Sequence, residues 1–152
     1  MTHIARQHSI EIALPVEEAF PLFTPRGEMD WIADWQPHFI HPADGRTEQG
    51  MVFTTGSGAD ETFWSCVEWA PADFRVRYAR ITPASRFAHV AVTCEARGAG
   101  RTRVDVCYEM TALTPAGEAI LDATTPEVFV ASIEGWKSLI TTWIAAGRPT
   151  TG

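Results

Sequence analysis

"TPEVFVASIEGWKSLITTWIAAG", Thr125 to Gly147, decides the fold. Phe129, Ile133, Trp136, Ile140 and Trp143 recur at spacings of four, three, four and three. That places them on one face of a single helix. Thr125-Pro126 supplies a cap and a first-turn proline, and Gly147 supplies the stop. Thr114-Pro115 repeats the starting signature, so the helical end is kinked or split between the two. A helix with three aromatic rings on one face needs an apolar surface to lie against.

The preceding residues supply that surface. From Phe39 to Leu113 the chain reads as strands separated by Gly, Pro and Asp turns. "FRVRYARI" (74–81) sets Phe74, Val76, Tyr78 and Arg80 against Arg75, Arg77, Ala79 and Ile81. "RFAHVAVTCEA" (86–96) has Ala88, Val90, Val92 and Cys94 on its apolar parity. "RTRVDVCYEMTAL" (101–113) has Val104, Val106, Tyr108 and Met110. Five or six such strands form an antiparallel meander with one apolar face, so a cover is needed on one side only. In "ETFWSCVEW" (61–69), Phe63, Val67 and Trp69 share one parity and Trp64 falls on the other. A bulge or an edge position would resolve that conflict.

Ahead of the meander lies another strand, His3 to Leu14, with Ile4, Ile10, Ile12 and Leu14 on one parity. Arg6 and His8 share that apolar parity, which is unexpected for charged or titratable groups. Pro15 then opens a helix, Pro21 kinks it and Pro25-Arg-Gly breaks it. A second short helix is expected over Glu28 to Asp34, ended by Pro37. The order is strand, two short helices, meander and long terminal helix. It implies an α+β domain over 1–147, with 148–152 as a disordered tail. A sheet bent around one helix leaves a gap between them, and that gap is the expected pocket.

Composition narrows the function. Six tryptophans and eight phenylalanines in 152 residues are many large flat surfaces for a small domain, so some must either fill a core or line a cavity. A net charge of −7 disfavours nucleic acid as a partner. No apolar run reaches the length of a membrane span, and the N-terminus lacks the apolar stretch of a signal peptide. Cys66, Cys94 and Cys107 have neither redox nor metal spacing and read as buried free thiols, which fits a cytoplasmic location.

"FPLFTPRGEMDWIADWQPHFIHP" (20–42), "TRVDVCYEMTALTPAGEAI" (102–120) and the tryptophan-bearing terminal helix carry a resemblance over about residues 5–146. The chain resembles a bacterial branch of the START-like superfamily, which includes polyketide cyclases and dehydrases, lipid-transfer domains and pathogenesis-related allergens. The resemblance implies the helix-grip fold, a curved antiparallel sheet around a long C-terminal helix, with two short helices after the first strand. It also implies a small hydrophobic ligand (aromatic, polyketide-like or lipid) held in the cavity between sheet and helix. Two further readings are a cyclase or dehydratase acting through polar cavity residues and a regulatory protein-interaction module. No cofactor is implied, no catalytic motif carries over, and a homo-oligomer is compatible with the sequence.

Candidate pocket residues follow from the parities. Tyr78, Arg80 and Tyr108 project from the inner face, where two phenols and a guanidinium suit a carbonyl, hydroxyl or enolate oxygen. Phe129 and Trp136 face them from the terminal helix. Trp31 and Trp35, four apart, either plug the core or line the mouth, and Trp64 joins them if it faces inward. His8 is the candidate general acid or base, because its ordinary pKa lies near neutrality. His38 and His41 suggest a metal pair at first sight. The flanking Pro37 and Pro42 make an extended segment, and no third ligand is near in sequence, so no metal is expected.

Overall fold

Period-two alternation and turn residues build the sheet, and the terminal aromatic face closes it. The computed structural model describes residues 1–150. Seven strands form one antiparallel sheet: β1 (His3–Ile12), β2 (His38–His41), β3 (Val52–Thr55), β4 (Thr62–Ala70), β5 (Arg75–Thr82), β6 (Arg86–Ala96) and β7 (Thr102–Ala112). Their order is β1-β7-β6-β5-β4-β3-β2, so the six later strands are a meander and β1 pairs with the last of them. Helices α1 (Val16–Ala19) and α2 (Pro25–Glu28) follow β1, with a 3-10 turn over Phe20–Phe23 between them. Helices α3 (Pro115–Ala123) and α4 (Pro126–Ala145) end the chain. The sheet curves around α4 in the helix-grip arrangement that the resemblance implied.

The inner face is apolar because β1, β5, β6 and β7 contribute their even parity. Ile10, Ile12, Val76, Tyr78, Val90, Val92, Val104 and Val106 are all buried there. Phe129, Ile133 and Ile140 of α4 are buried against them. Each such side chain removed from water contributes ~1.5–3 kcal/mol before conformational entropy is counted.

Both terminal helices start where threonine and proline predicted. The Thr114 hydroxyl accepts from the Gly117 N–H and the Thr125 hydroxyl accepts from the Val128 N–H. The helical end is therefore split. The tail contributes two tethers: the Trp143 indole donates to the Pro149 carbonyl, and Arg148 pairs with Glu18. The rest of the stretch expected to be disordered, Thr151 and Gly152, lies outside the described residues.

One local conflict is resolved by the bulge it called for, and two expectations are corrected. The register between β4 and β5 shifts between Cys66 and Glu68. This bulge turns Trp64, Cys66 and Trp69 inward together, while Phe63 and Val67 stay 41% and 42% exposed. Parity counted across the whole strand therefore failed at the inserted residue. The first correction is that no helix spans Glu28–Asp34. The helix is α2, started by Thr24, whose hydroxyl accepts from the Gly27 N–H, and by Pro25 at its first turn. Pro25 therefore opens a helix where a break was expected. The second is that Cys107 lies on the outer parity of β7 and is exposed, whereas Cys66 and Cys94 are buried free thiols.

Candidate functional site

The site begins with α2. Gly27 lets this single helical turn lie on the preceding one, since a Cβ there would sit 1.8 Å from the Pro21 carbonyl oxygen. The next residue, Glu28, lies on the inner side of the fold. Its acidic position near a helix start looks like a response to the helix dipole. In fact Glu28 lines a cavity of about 100 Å³ with Pro25, Ile32, Trp35, Phe53 and Trp64. Tyr78, Arg80, Val90, Val92, Tyr108 and Trp136 complete the wall.

Aromatic rings form most of the cavity frame. Trp64 stacks on Phe53 at 5.4 Å and meets Trp35 edge-on at 5.6 Å. Its indole donates to the Thr55 hydroxyl at 3.0 Å. On β5, Arg80 lies opposite Trp64 of β4 and opposite Ala88 of β6. Ala88 takes little room, and the Arg80 guanidinium sits between two rings. Its central carbon is 5.1 Å from the Trp64 ring centre and 5.2 Å from that of Tyr108. Ring faces hold the cation at both sides, which is a favourable arrangement for a partly desolvated arginine.

Three polar groups of this cavity make no side-chain hydrogen bond or ion pair to protein among the described residues: the Glu28 carboxyl, the Arg80 guanidinium and the Tyr108 hydroxyl. Tyr78 is different, because its hydroxyl donates to the Phe23 carbonyl at 2.9 Å and is used in the core. Burial pushes the Glu28 carboxyl from 4.5 up to about 8, against the charge of Arg80, which pulls it down. Burial raises the Tyr108 phenol, with Arg80 again opposing. Burial also raises the Tyr78 phenol, with Glu28 adding to the effect. The cavity thus contains a fixed cation, a carboxyl poised to exchange a proton near neutral pH, and a neutral phenol.

The residues named from sequence divide between cavity, core and surface. Trp35, Trp64, Tyr78, Arg80, Tyr108 and Trp136 line the cavity. Trp31 and Trp35 part company. Trp31 is only 5% exposed, donates to the Leu22 carbonyl, and packs edge-on against Phe23 and Trp136. Trp35 donates to the Pro25 carbonyl at 2.8 Å and faces the cavity. Phe129 is buried, with its ring 5.0 Å from Tyr108, and borders a neighbouring opening. His8 is away from the cavity: its Nε2 is 2.8 Å from the Glu134 carboxylate on the partly exposed seam between β1 and α4. The same seam explains Arg6, which donates to the Thr124 carbonyl at the end of α3.

Sequence reasoning missed Glu28. The signal available was Thr24-Pro25 as a cap and first turn, which puts Glu28 at the end of a helix instead of the start of one. His38 and His41 are exposed on the outermost strand, β2, and His41 lies 3.8 Å from Glu48. Among the described residues no group of three or more His, Cys, Asp or Glu side chains could hold a metal ion. Nor is any helix among them long and apolar enough to cross a membrane.

No family model and no curated protein matches the chain. Solved structures do. Norcoclaurine synthase from Thalictrum flavum, in complex with dopamine and hydroxybenzaldehyde, aligns with a TM-score of 0.67 at 9% identity, covering 98% of this chain and 90% of that one. A hypothetical protein from Helicobacter pylori aligns at 0.72 and 12%, covering 92% and 87%. Zhui aromatase/cyclase from Streptomyces sp. R1128 aligns at 0.65 and 14%, covering 94% and 96%. At these identities the likeness is one of fold. The chain shares with them the helix-grip fold, a curved antiparallel sheet around a long C-terminal helix.

Proposed function

We propose that this helix-grip chain binds a small, mainly apolar molecule bearing an oxygen function in the cavity between sheet and α4. One observation carries the reading: Glu28, Arg80 and Tyr108, three polar groups whose side chains make no hydrogen bond or ion pair to protein among the described residues, converge on one aromatic-walled cavity. Polar groups withdrawn in part from water and left without hydrogen bonds are costly, and a ligand oxygen would satisfy them. Proteins of this fold with small aromatic ligands, such as the dopamine and hydroxybenzaldehyde of norcoclaurine synthase, agree with the reading. The cavity is smaller than the ~300 Å³ at which pockets for drug-sized ligands begin. One aromatic ring is therefore the class of body it suits, with a modest shift of Trp35. The buried free thiols Cys66 and Cys94 fit a reducing compartment, and we place the protein in the cytoplasm. The test is titration of the protein with benzamide, followed by tryptophan fluorescence. Saturable quenching, lost on enlarging the cavity-lining Val90 to Phe, supports the reading; no saturation up to the millimolar range counts against it.

A second reading is favoured by Glu28 alone. A carboxyl with a pKa near 8 suits dehydration of a β-hydroxy carbonyl compound. In its ionised form Glu28 takes the α-proton, and Arg80 and the Tyr108 hydroxyl hold the enolate oxygen. The protonated Glu28 then gives that proton to the departing β-hydroxyl, water leaves, and the carboxylate is restored. The rate of such a reaction rises about tenfold per pH unit up to about pH 8 and then levels. A pH-independent rate, or one that survives Glu28→Gln, counts against this chemistry.

A further inference from the structure

Arg80 and Tyr108 border a second opening of about 190 Å³, where β5, β6 and β7 meet the start of α4. Arg86, Phe129 and Ser132 lie there with them. Arg86 and Arg80 come from inward positions on paired strands, Thr82 being opposite Arg86 and Ala88 opposite Arg80. Neither arginine forms an ion pair with a carboxylate among the described residues. The Arg86 Nη1 donates to the Ser85 hydroxyl at 3.0 Å, but its Nε is buried and has no hydrogen-bond partner. A similar unpartnered Nε belongs to Arg77, which lies on the outer parity away from this opening.

The arrangement is unusual for this chain. It has 19 acidic residues against 12 Lys and Arg, yet the walls of this opening include two arginines and no carboxylate. Asp60 is the acidic group whose charge reaches Arg86, while burial and the charge of Arg80 both act against the Arg86 cation. Glu28, on the cavity side of Arg80, is held mostly protonated near neutral pH by burial and then supplies little counter-charge. Two cations facing one gap repel each other unless an anion is shared between them.

We infer that the cavity's ligand carries an oxyanion, a carboxylate or a phosphate, and that Arg80 and Arg86 hold it in this opening while the apolar body occupies the cavity. The inference rests on the cavity-binding reading above and narrows it to amphipathic anions. Arg80 then reads the ligand at the junction of the two spaces, and Arg86 selects for charge. The guanidinium geometry suits a planar carboxylate or a phosphate equally well.

Benzoate and benzamide, nearly isosteric and differing in charge, test it by titration at low salt with calorimetry and tryptophan fluorescence. Benzoate should bind at least about tenfold tighter, the scale expected of a charge-assisted contact. Raising sodium chloride should weaken benzoate and leave benzamide little changed. Inorganic phosphate should compete with benzoate at the opening and not with benzamide in the cavity. Arg86→Gln should bring the two affinities within about threefold of each other, and Arg86→Lys should restore part of the gap. Equal affinities in the wild-type protein overturn the anion inference while the cavity reading stands. Binding of phosphate without any preference for benzoate shows a free-anion site and also overturns it. If neither aromatic probe binds, the cavity reading falls and the inference with it. The salt dependence is read on the wild-type protein, so the outcome does not hang on whether the variants fold.

Discussion

The guanidinium carbon of Arg80 lies 5.2 Å from the ring centre of Tyr108, two strands away, and 5.1 Å from that of Trp64 on the adjacent strand. Arg80 is therefore positioned by ring faces instead of by a carboxylate. Trp64 is the more connected of the two rings, since it also meets Phe53, Trp35 and Tyr78. Trp64→Leu is expected to cost about 3 kcal/mol or more in urea unfolding, while Trp64→Phe, which keeps a ring, recovers more than half of the loss. Equal losses in the two variants would show that the ring face contributes nothing.

Trp31 and Trp35 should respond differently to truncation. Trp31→Ala removes a buried ring from the contact with Phe23 and Trp136 and is expected to cost about 3–5 kcal/mol. Trp35→Ala removes a half-buried ring at the cavity wall and should cost about 1–3 kcal/mol. The space it leaves should admit 2-naphthol, a probe too large for the wild-type cavity, with saturable quenching of the remaining tryptophans. Denaturation and fluorescence titration of the two variants decide the point.

Glu28 makes stability pH-dependent. Its folded-state pKa is raised from 4.5 to about 8, so between those values the folded chain keeps a proton that the unfolded chain has lost. The contribution is full below about pH 4.5 and is lost as pH rises through about 8, with a slope of at most ~1.4 kcal/mol per pH unit. Urea unfolding of the wild type and of Glu28→Gln across that range should diverge in this direction. Other titrating groups are common to both chains, and the difference isolates Glu28. A gap that widens in the opposite direction, or does not change with pH, would refute the assignment.

Tyr78 and Tyr108 face the same cavity but have different roles. Tyr78→Phe strands the Phe23 carbonyl and should cost about 1–3 kcal/mol of stability. It should leave benzamide affinity within about twofold, roughly 0.4 kcal/mol. Tyr108→Phe should do the reverse, changing stability little and weakening benzamide by about fivefold through loss of an unpartnered hydroxyl.

Much of the frame was readable before any coordinates. Alternation along β5, β6 and β7 fixed which side chains face inward, and Thr-Pro pairs fixed the starts of α3 and α4. Parity counting placed Tyr78, Arg80 and Tyr108 on the inner face. It failed at β4, because a bulge adds one residue on one strand and no local residue type marks it. It also could not separate Trp31 from Trp35. Trp31 lies in a turn and Trp35 in irregular chain beyond it, not on a helix, so a spacing of four does not place them on one face. His8 was sound as a parity and wrong as a cavity residue, since β1 is an edge strand and its inner face meets α4 near solvent. Glu28 was hidden for a different reason. A charged residue in a short helix is ordinarily a solvated one, whereas this one lines the cavity beside the close packing of Gly27 on Pro21.

The most direct test of the account is the titration of the Glu28 side-chain carboxyl by carbon-13 NMR, assigned with Glu28→Gln and recorded with and without benzamide. The account predicts a midpoint near pH 8 in the free protein and a clear change in that midpoint when the cavity is occupied. An ordinary midpoint near 4.5 that ignores the probe would contradict it.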